Sequence, residues 1–228
     1  MKISFHIHTI ASKDSRIHPI RLMTKARKLG INTLFITDHE TIKIAARMRK
    51  LAKENELHII IGEEIRTEYG DIIGIFLFEE IKSNNFLEVA NEIKKQDGLV
   101  VLPHPFRKGK LKLPLEFLKH IDLIETFNSR IEYAWNKNAQ KLAKVLDKPS
   151  IIGSDAHFYS ELNNVFMYSD AKSEADLKEA FLNNNIKFEI ENRTSLNRLY
   201  FLFLSQIVQK GYLGTIKKII LKVFRWLF

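Results

Sequence analysis

With 228 residues the chain is long enough to bury a full core as a single domain, and 45% hydrophobic with 28% charged residues excludes a disordered or collagen-like polypeptide. The absence of cysteine excludes disulfides, thiolate nucleophiles and thiolate metal sites, leaving nitrogen and oxygen ligands for any metal and fitting a reducing, cytoplasmic compartment. The net charge of +9 is uneven: from Leu196 onward Arg198, Lys210, Lys217, Lys218, Lys222 and Arg225 stand without an acidic residue, so the body is nearly balanced and the tail is basic.

In chain order, short β-rich runs alternate with longer amphipathic ones. Residues 3–8 read as a strand ending in His6 and His8, which places functional sequence at the very start and leaves no room for a removable leader. A helix over 19–29 stops at Gly30; a strand over 33–37 runs into Asp38 and His39; a helix follows over 42–54. Residues 58–62 form a strand followed at once by Glu63 and Glu64, and 72–78 another strand. A helix over 86–95 with a stop at Gly98 leads to a strand over 99–102, after which comes His104. The strand over 123–127 precedes Asn128, the helix over 131–146 follows, the strand over 150–153 precedes Asp155 and His157, and a helix over 174–183 closes the series.

Strand and helix in alternation predict parallel strands joined by helical crossovers. An open nucleotide-binding sheet would carry a glycine-rich turn after its first strand, whereas here that position holds His6-Ile7-His8-Thr9, so a closed barrel is favoured. In a parallel barrel all strand ends meet on one face, which brings together residues spread over the chain. His6 and His8, two apart on a strand, point to the same side. Carboxylates gathered so closely repel one another without a cation, and neutral imidazoles beside them complete the mixed set suited to zinc, manganese or iron.

The motifs His6-Ile7-His8-Thr9, Ser12-Lys13-Asp14, Thr37-Asp38-His39, Gly62-Glu63-Glu64, Pro103-His104-Pro105, Glu125-Thr126-Phe127-Asn128 and Gly153-Ser154-Asp155-Ala156-His157 together resemble the PHP family, the polymerase and histidinol phosphatase domain. The resemblance spans roughly residues 1–190 and implies a distorted (β/α)7 barrel with two or three divalent ions of manganese, zinc or iron. By position it implies His6, His8, Glu64 and Asp155 around one ion, Glu64 and His104 at a second, and Asp14, His39 and His157 at a third. One departure weakens the second ion: many members have a histidine on the strand after that glutamate, and this chain has Ile72 and Ile73.

The expected reaction is phosphate-ester hydrolysis by a hydroxide bridging two ions. Arg107 and Arg130 are the candidates to grip the phosphate, ahead of Arg66 and Lys108, and Asp155 or His157 to shuttle the proton. Arg130 reads equally well as a surface residue at a helix start, Asp38 as an orienting or capping residue, and Glu63 as a solvated neighbour. His18, His58 and His120 lie outside the pattern. The body, residues 1–192, lacks a basic and aromatic stripe, which favours a phosphorylated small molecule or nucleotide over nucleic acid. Residues 193–228 form a predicted basic amphipathic helical tail, with Ile216, Ile219, Ile220, Val223, Phe224 and Leu227 on one stripe. It packs on the barrel or a second subunit, lies on an anionic membrane surface, or touches nucleic acid. A contrasting reading makes the whole chain a non-catalytic barrel with vestigial metals, docking through that tail.

Overall fold

The computed structural model describes residues 1–52 and 57–190. The tail, the boundary placed at 192 and the end of the helix expected over 42–54 lie outside the described residues. Among the described residues no helix is long and apolar enough to cross a membrane.

The strands are β1 (Lys2–Ile7), β2 (Thr33–Ile36), β3 (His58–Thr67), β4 (Gly70–Ile75), β5 (Leu99–Leu102), β6 (Leu123–Asn128), β7 (Ser150–Gly153), β8 (Val165–Tyr168) and β9 (Lys187–Ile190). The helices are α1 (Pro19–Lys28), α2 (Lys43–Ala52), α3 (Phe86–Lys95), α4 (Tyr133–Val145) and α5 (Glu174–Leu182), with 3-10 turns at Leu115–His120 and Tyr159–Asn163. Their order across the sheet is β7-β6-β5-β4-β3-β2-β1-β8-β9. The sheet curls so that the segment after β7 returns to β1, where the Ser154 amide donates to Phe5, the Ala156 amide to His6 and the His8 amide to Ala156, each at 3.0 Å. These bonds nearly close an α/β barrel along its upper edge; at its lower edge β1 pairs antiparallel with β8.

Alternation along each strand divides the core in two. Ile3, Phe5, Phe35, Ile60, Ile73, Ile75, Leu99 and Val101 fill the barrel. Leu34, Ile36, Ile59, Ile61, Val100 and Leu102, one residue out of step, pack with Leu22, Ala26, Met48, Val89 and Ile93 of the surrounding helices. Helix ends follow local chemistry. Gly30, in the left-handed region at φ 66°, ends α1 as expected, and the Asn85 side chain accepts from the Leu87 and Glu88 amides at the start of α3. After α3 the left-handed residue is Asp97; Gly98 instead answers to close packing, since a Cβ there would lie 2.8 Å from the Ile75 carbonyl oxygen.

Two expectations are corrected. The sheet is not all parallel: β4 runs antiparallel to both β3 and β5, because Thr67–Gly70 is a tight turn too short for a crossover. That strand also ends at Ile75 rather than 78, where Phe76 takes φ 63° and leaves the ladder. Strands β8 and β9 add an antiparallel extension beyond the seven of the barrel among the described residues.

Candidate metal centre

The site lies at the upper mouth. Simple alternation from Ile3 and Phe5 would turn His6 outward toward the helices. The ladder between β1 and β2 shifts register between Ser4 and Ile7, and His6 takes φ 62°. This bulge flips the parity, so that Ile7 faces the helices while His6 and His8 face the mouth. β6 has a similar shift between Glu125 and Phe127, beside Asn128. Three polar residues of the mouth thus sit in the left-handed region: His6, His104 (φ 29°) and Asp155 (φ 49°).

Glu64, buried within β3, where the strand turns from pairing with β2 to pairing with β4 alone, is the hub. Its Oε2 lies 3.5 Å from His6 Nε2, 3.2 Å from His8 Nε2 and 3.1 Å from His39 Nδ1, and its Oε1 lies 3.0 Å from His104 Nε2. Asp155 Oδ1 stands opposite, 3.8 Å from His6 Nε2, 3.6 Å from His8 Nε2 and 3.4 Å from His157 Nδ1. Asp14 lies toward the open side, 3.7 Å from His39 and 3.2 Å from His157, with side-chain exposures of 27% for Asp14 and 39% for His39. All eight residues singled out as ligands therefore meet at one mouth. Among the described residues four groups have ligand atoms within 4.8 Å of one another: His8, His39 and His157; His6, His8 and Glu64; His6, His104 and Asp155; and Glu64, Asp71 and His104.

A second set of residues holds the first in place. The Asp38 carboxylate accepts from the Thr9 amide, the Thr9 hydroxyl and the Ser12 hydroxyl, at 2.6, 2.7 and 2.6 Å. Having given its proton to Asp38, the Ser12 oxygen is an acceptor for His8 Nδ1, 3.2 Å away. His8 therefore carries its proton on Nδ1 and presents a bare Nε2. Glu125, buried in β6, accepts from the His104 amide at 2.7 Å and the Asn128 side chain at 3.0 Å, and sits 2.9 Å from His6 Nδ1. Gly153 leaves room for it: a Cβ there would fall 1.9 Å from Glu125 Oε1 and 2.9 Å from His6 Cβ. Glu161 accepts from the His157 and Phe158 amides.

The charges of this ion-free arrangement depend on protons. Burial disfavours a charged His6, yet Glu125, Asp155 and Glu64 outweigh it and raise its pKa well above the usual value. His39 is raised to about 10, its desolvation overcome by Asp14 and Glu64. Burial, then the neighbouring His157, lowers His8 to about 3, so it is neutral. Burial works against charge on Glu64 and Asp155 as well, but His6, with His104 and His39 around Glu64 and with Arg130 and His157 around Asp155, holds both ionised.

These residues fit divalent ions on the donor set alone. Mixed imidazole and carboxylate ligands converge, and the fully buried Nε2 atoms of His6 and His8 and Oδ1 of Asp14 have no hydrogen-bond partner.

Arg130 reaches the mouth, its Nη1 2.6 Å from His157 Nδ1 and 3.7 Å from Asp155. Arg107 stands at the rim, where partial desolvation opposes its charge but Asp155, Glu64, Asp71 and Asp14 together raise its pKa. Arg66 is 81% exposed and paired with Asp71, and Lys108 is exposed. Glu63 is not a solvated neighbour: it is fully buried on the outer face, accepting from the Ile81 amide. His18, His58 and His120 belong to none of these ligand groups. Of the two isoleucines at the place of the expected histidine, Ile72 packs toward the helices and Ile73 inside the barrel. Glu125, Ser12 and Asp71 were not among the sequence candidates; a glutamate inside the apolar run of 123–127 is the signal that marks the first of them.

Comparison with known proteins agrees with this geometry. Protein MJ0417 of Methanocaldococcus jannaschii is 35% identical over 177 residues, covering 73% of this chain and 70% of that protein. Protein MJ1587 of the same organism is 40% identical over 117 residues, 46% of this chain and 68% of that one. An error-prone DNA polymerase of Alkalilimnicola ehrlichii matches at 38% over 55 residues, 24% of this chain and 5% of the polymerase. Among solved structures, PsfC of Pseudomonas syringae shares the fold with a TM-score of 0.65 at 15% identity, covering 92% of this chain and 98% of that one. A candidate metal-dependent phosphoesterase of Bifidobacterium adolescentis gives 0.58 at 16% identity, covering 80% of this chain and 96% of that one. An amidohydrolase of Chromobacterium violaceum gives 0.57 at 13% identity, over 68% and 87%. The family model described as PHP domain matches residues 4–193, most of the chain, and this protein belongs to the PHP domain family.

Proposed function

We propose that the chain is a metal-dependent phosphoesterase that hydrolyses the phosphate ester of a small metabolite or nucleotide. The observation that carries this reading is the approach of a bare imidazole nitrogen, His8 Nε2, to a carboxylate oxygen of Glu64 at 3.2 Å. Two electron pairs face each other there in a buried space, an arrangement that a cation between them makes favourable. By the family's pattern and the approach of these groups, His6, His8, Glu64 and Asp155 would hold one ion, Glu64 and His104 would reach a second, and Asp14, His39 and His157 a third, with manganese, zinc or iron suited to the set. Bound divalent ions supply Lewis acidity, lowering the pKa of water and neutralising phosphoryl oxygens.

The chain's own residues do the remainder. Arg130, beside His157, and Arg107, at the rim, bind and orient the phosphate. In hydrolysis the water oxygen bonds to phosphorus, the ester bond to the leaving oxygen breaks, and that oxygen takes up a proton. Asp155, kept ionised by its cationic neighbours despite burial, is a poor acid for that step. The three-residue anchor of Asp38 on Thr9 and Ser12 fixes the loop carrying Asp14. Membership of the PHP domain family supports metal-dependent hydrolysis, and the mixed charge of residues 1–190 favours small molecules over nucleic acid.

The test is a panel of phosphomonoesters and dinucleotides assayed with added Mn²⁺. Turnover of at least one of them, lost by about 100-fold or more when His6 and His8 are both replaced by alanine, is the expected result. Activity confined to an amide or lactone would overturn the phosphate assignment. No turnover of any substrate by the parent protein, with loss of thermal stability along with the metal in the double variant, would favour the vestigial docking barrel instead.

A further inference from the structure

The Glu64 and His104 end of the cluster is short of donors when only the eight ligands expected from the sequence are counted. His104 Nε2 meets Glu64 Oε1 at 3.0 Å, and neither Ile72 nor Ile73 can add a ligand. The reversal of β4 supplies one. In the antiparallel hairpin Glu64 is the cross-strand partner of Ile73, and Arg66 that of Asp71. Asp71 lies two residues before Ile73, so its side chain projects to the same inner face, and because β4 starts at the mouth, Asp71 is at the level of the site. Its carboxylate, with Glu64 and His104, forms one of the groups whose ligand atoms lie within 4.8 Å of one another. An independent feature points to the same space. His6, fully buried, aims Nε2 with no hydrogen-bond partner at Glu64, and its ring centroid lies 5.6 Å from that of His104.

We propose that Asp71 is the third protein ligand of an ion held with Glu64 and His104, giving that ion two carboxylates and one imidazole. The proposal rests on the metal-centre reading above and deepens it. Asp71 is only 16% exposed, but its pairing with Arg66 at 3.3 Å involves a cation 81% exposed. Such an exposed pair contributes little and yields readily to a divalent ion. The consequence is an asymmetric centre. The Asp14, His39 and His157 end, with two imidazoles to one carboxylate, is the richer in nitrogen and suits zinc, whereas the Asp71 end, with two carboxylates to one imidazole, favours harder ions such as Mn²⁺.

The experiment titrates full-length, metal-stripped protein with Mn²⁺, following free ion by electron paramagnetic resonance and heat by calorimetry. It compares the parent protein with Asp71→Ala, Asp71→Asn and Asp71→His, each checked for fold by circular dichroism. The expected result is loss of one Mn²⁺ equivalent, or weakening of one site by about tenfold or more, in Asp71→Ala and Asp71→Asn. Asp71→His should restore the equivalent with Zn²⁺ now preferred over Mn²⁺ at that site. Stoichiometry and affinities unchanged in folded Asp71→Asn would overturn the assignment of Asp71 while leaving the metal centre standing. Failure of the parent protein to bind any ion would overturn both.

Discussion

Three groups of the mouth hang on one buried carboxylate. Glu125 accepts from the His104 backbone and the Asn128 side chain, and pairs with His6 Nδ1, so it sets both the ring orientation of one ligand and the backbone of another. Replacing it with glutamine keeps the shape but turns one acceptor into a donor facing donors. Glu125→Gln is expected to lower metal affinity by about 10- to 100-fold, measured by calorimetric titration of the stripped protein. The left-handed conformations of His6, His104 and Asp155 add strain of roughly 1–3 kcal/mol each, tolerated because neighbouring contacts fix them. At this scale the ligands were legible in the sequence, because histidines and carboxylates recur just after apolar strands. What was not legible follows from geometry: Glu125 lies inside an apolar run rather than after one, and Asp71 comes near the start of its strand, ahead of the apolar run, so neither obeys that rule.

Whether a strand end faces the mouth is decided by its irregularities. The bulge at His6 inverts the alternation of β1, and the reversed direction of β4 carries its start, with Asp71, rather than its end to the site. Neither event has a sequence signature as plain as a glycine-rich turn, so the sequence reading recovers the seven barrel strands and five helices but assumes uniform parallel pairing. Strand β9 escapes notice because it is exposed on every residue, without an apolar face to mark it. The tightest element contact is at Gly153 of β7, beside Glu125 and His6. Gly153→Ala should therefore cost about 1–3 kcal/mol of apo-protein stability in urea denaturation and weaken metal binding as well. An alanine variant as stable as the parent, with unaltered affinity, would show that the close approach is not required.

Across the molecule, Glu64, Asp155 and Asp14 share one cavity whose ion-free charge balance relies on protonated His6 and His39. Divalent ions replace those protons with stronger and better placed charge, so binding releases protons and stabilises the folded chain. Stripping the protein with a chelator is expected to lower its melting temperature by on the order of 5–10 °C, and adding metal back at about 100 times its Kd to restore it. Equal melting curves with and without metal would contradict a cluster organised around cations.

The hydrogen bonds that draw the sheet shut pass through the backbones of Phe5, His6, His8, Ser154 and Ala156, the very stretches that carry His6, His8, Asp155 and His157. The buckle of the wall and the working residues are thus the same few peptide groups. Any breathing that parted the wall to admit a bulky molecule would also scatter the donors that act on it. Asp14 and His39, the two partly exposed members of the cluster, lie apart from that seam, so a guest reaching the donors from their side would leave the wall intact.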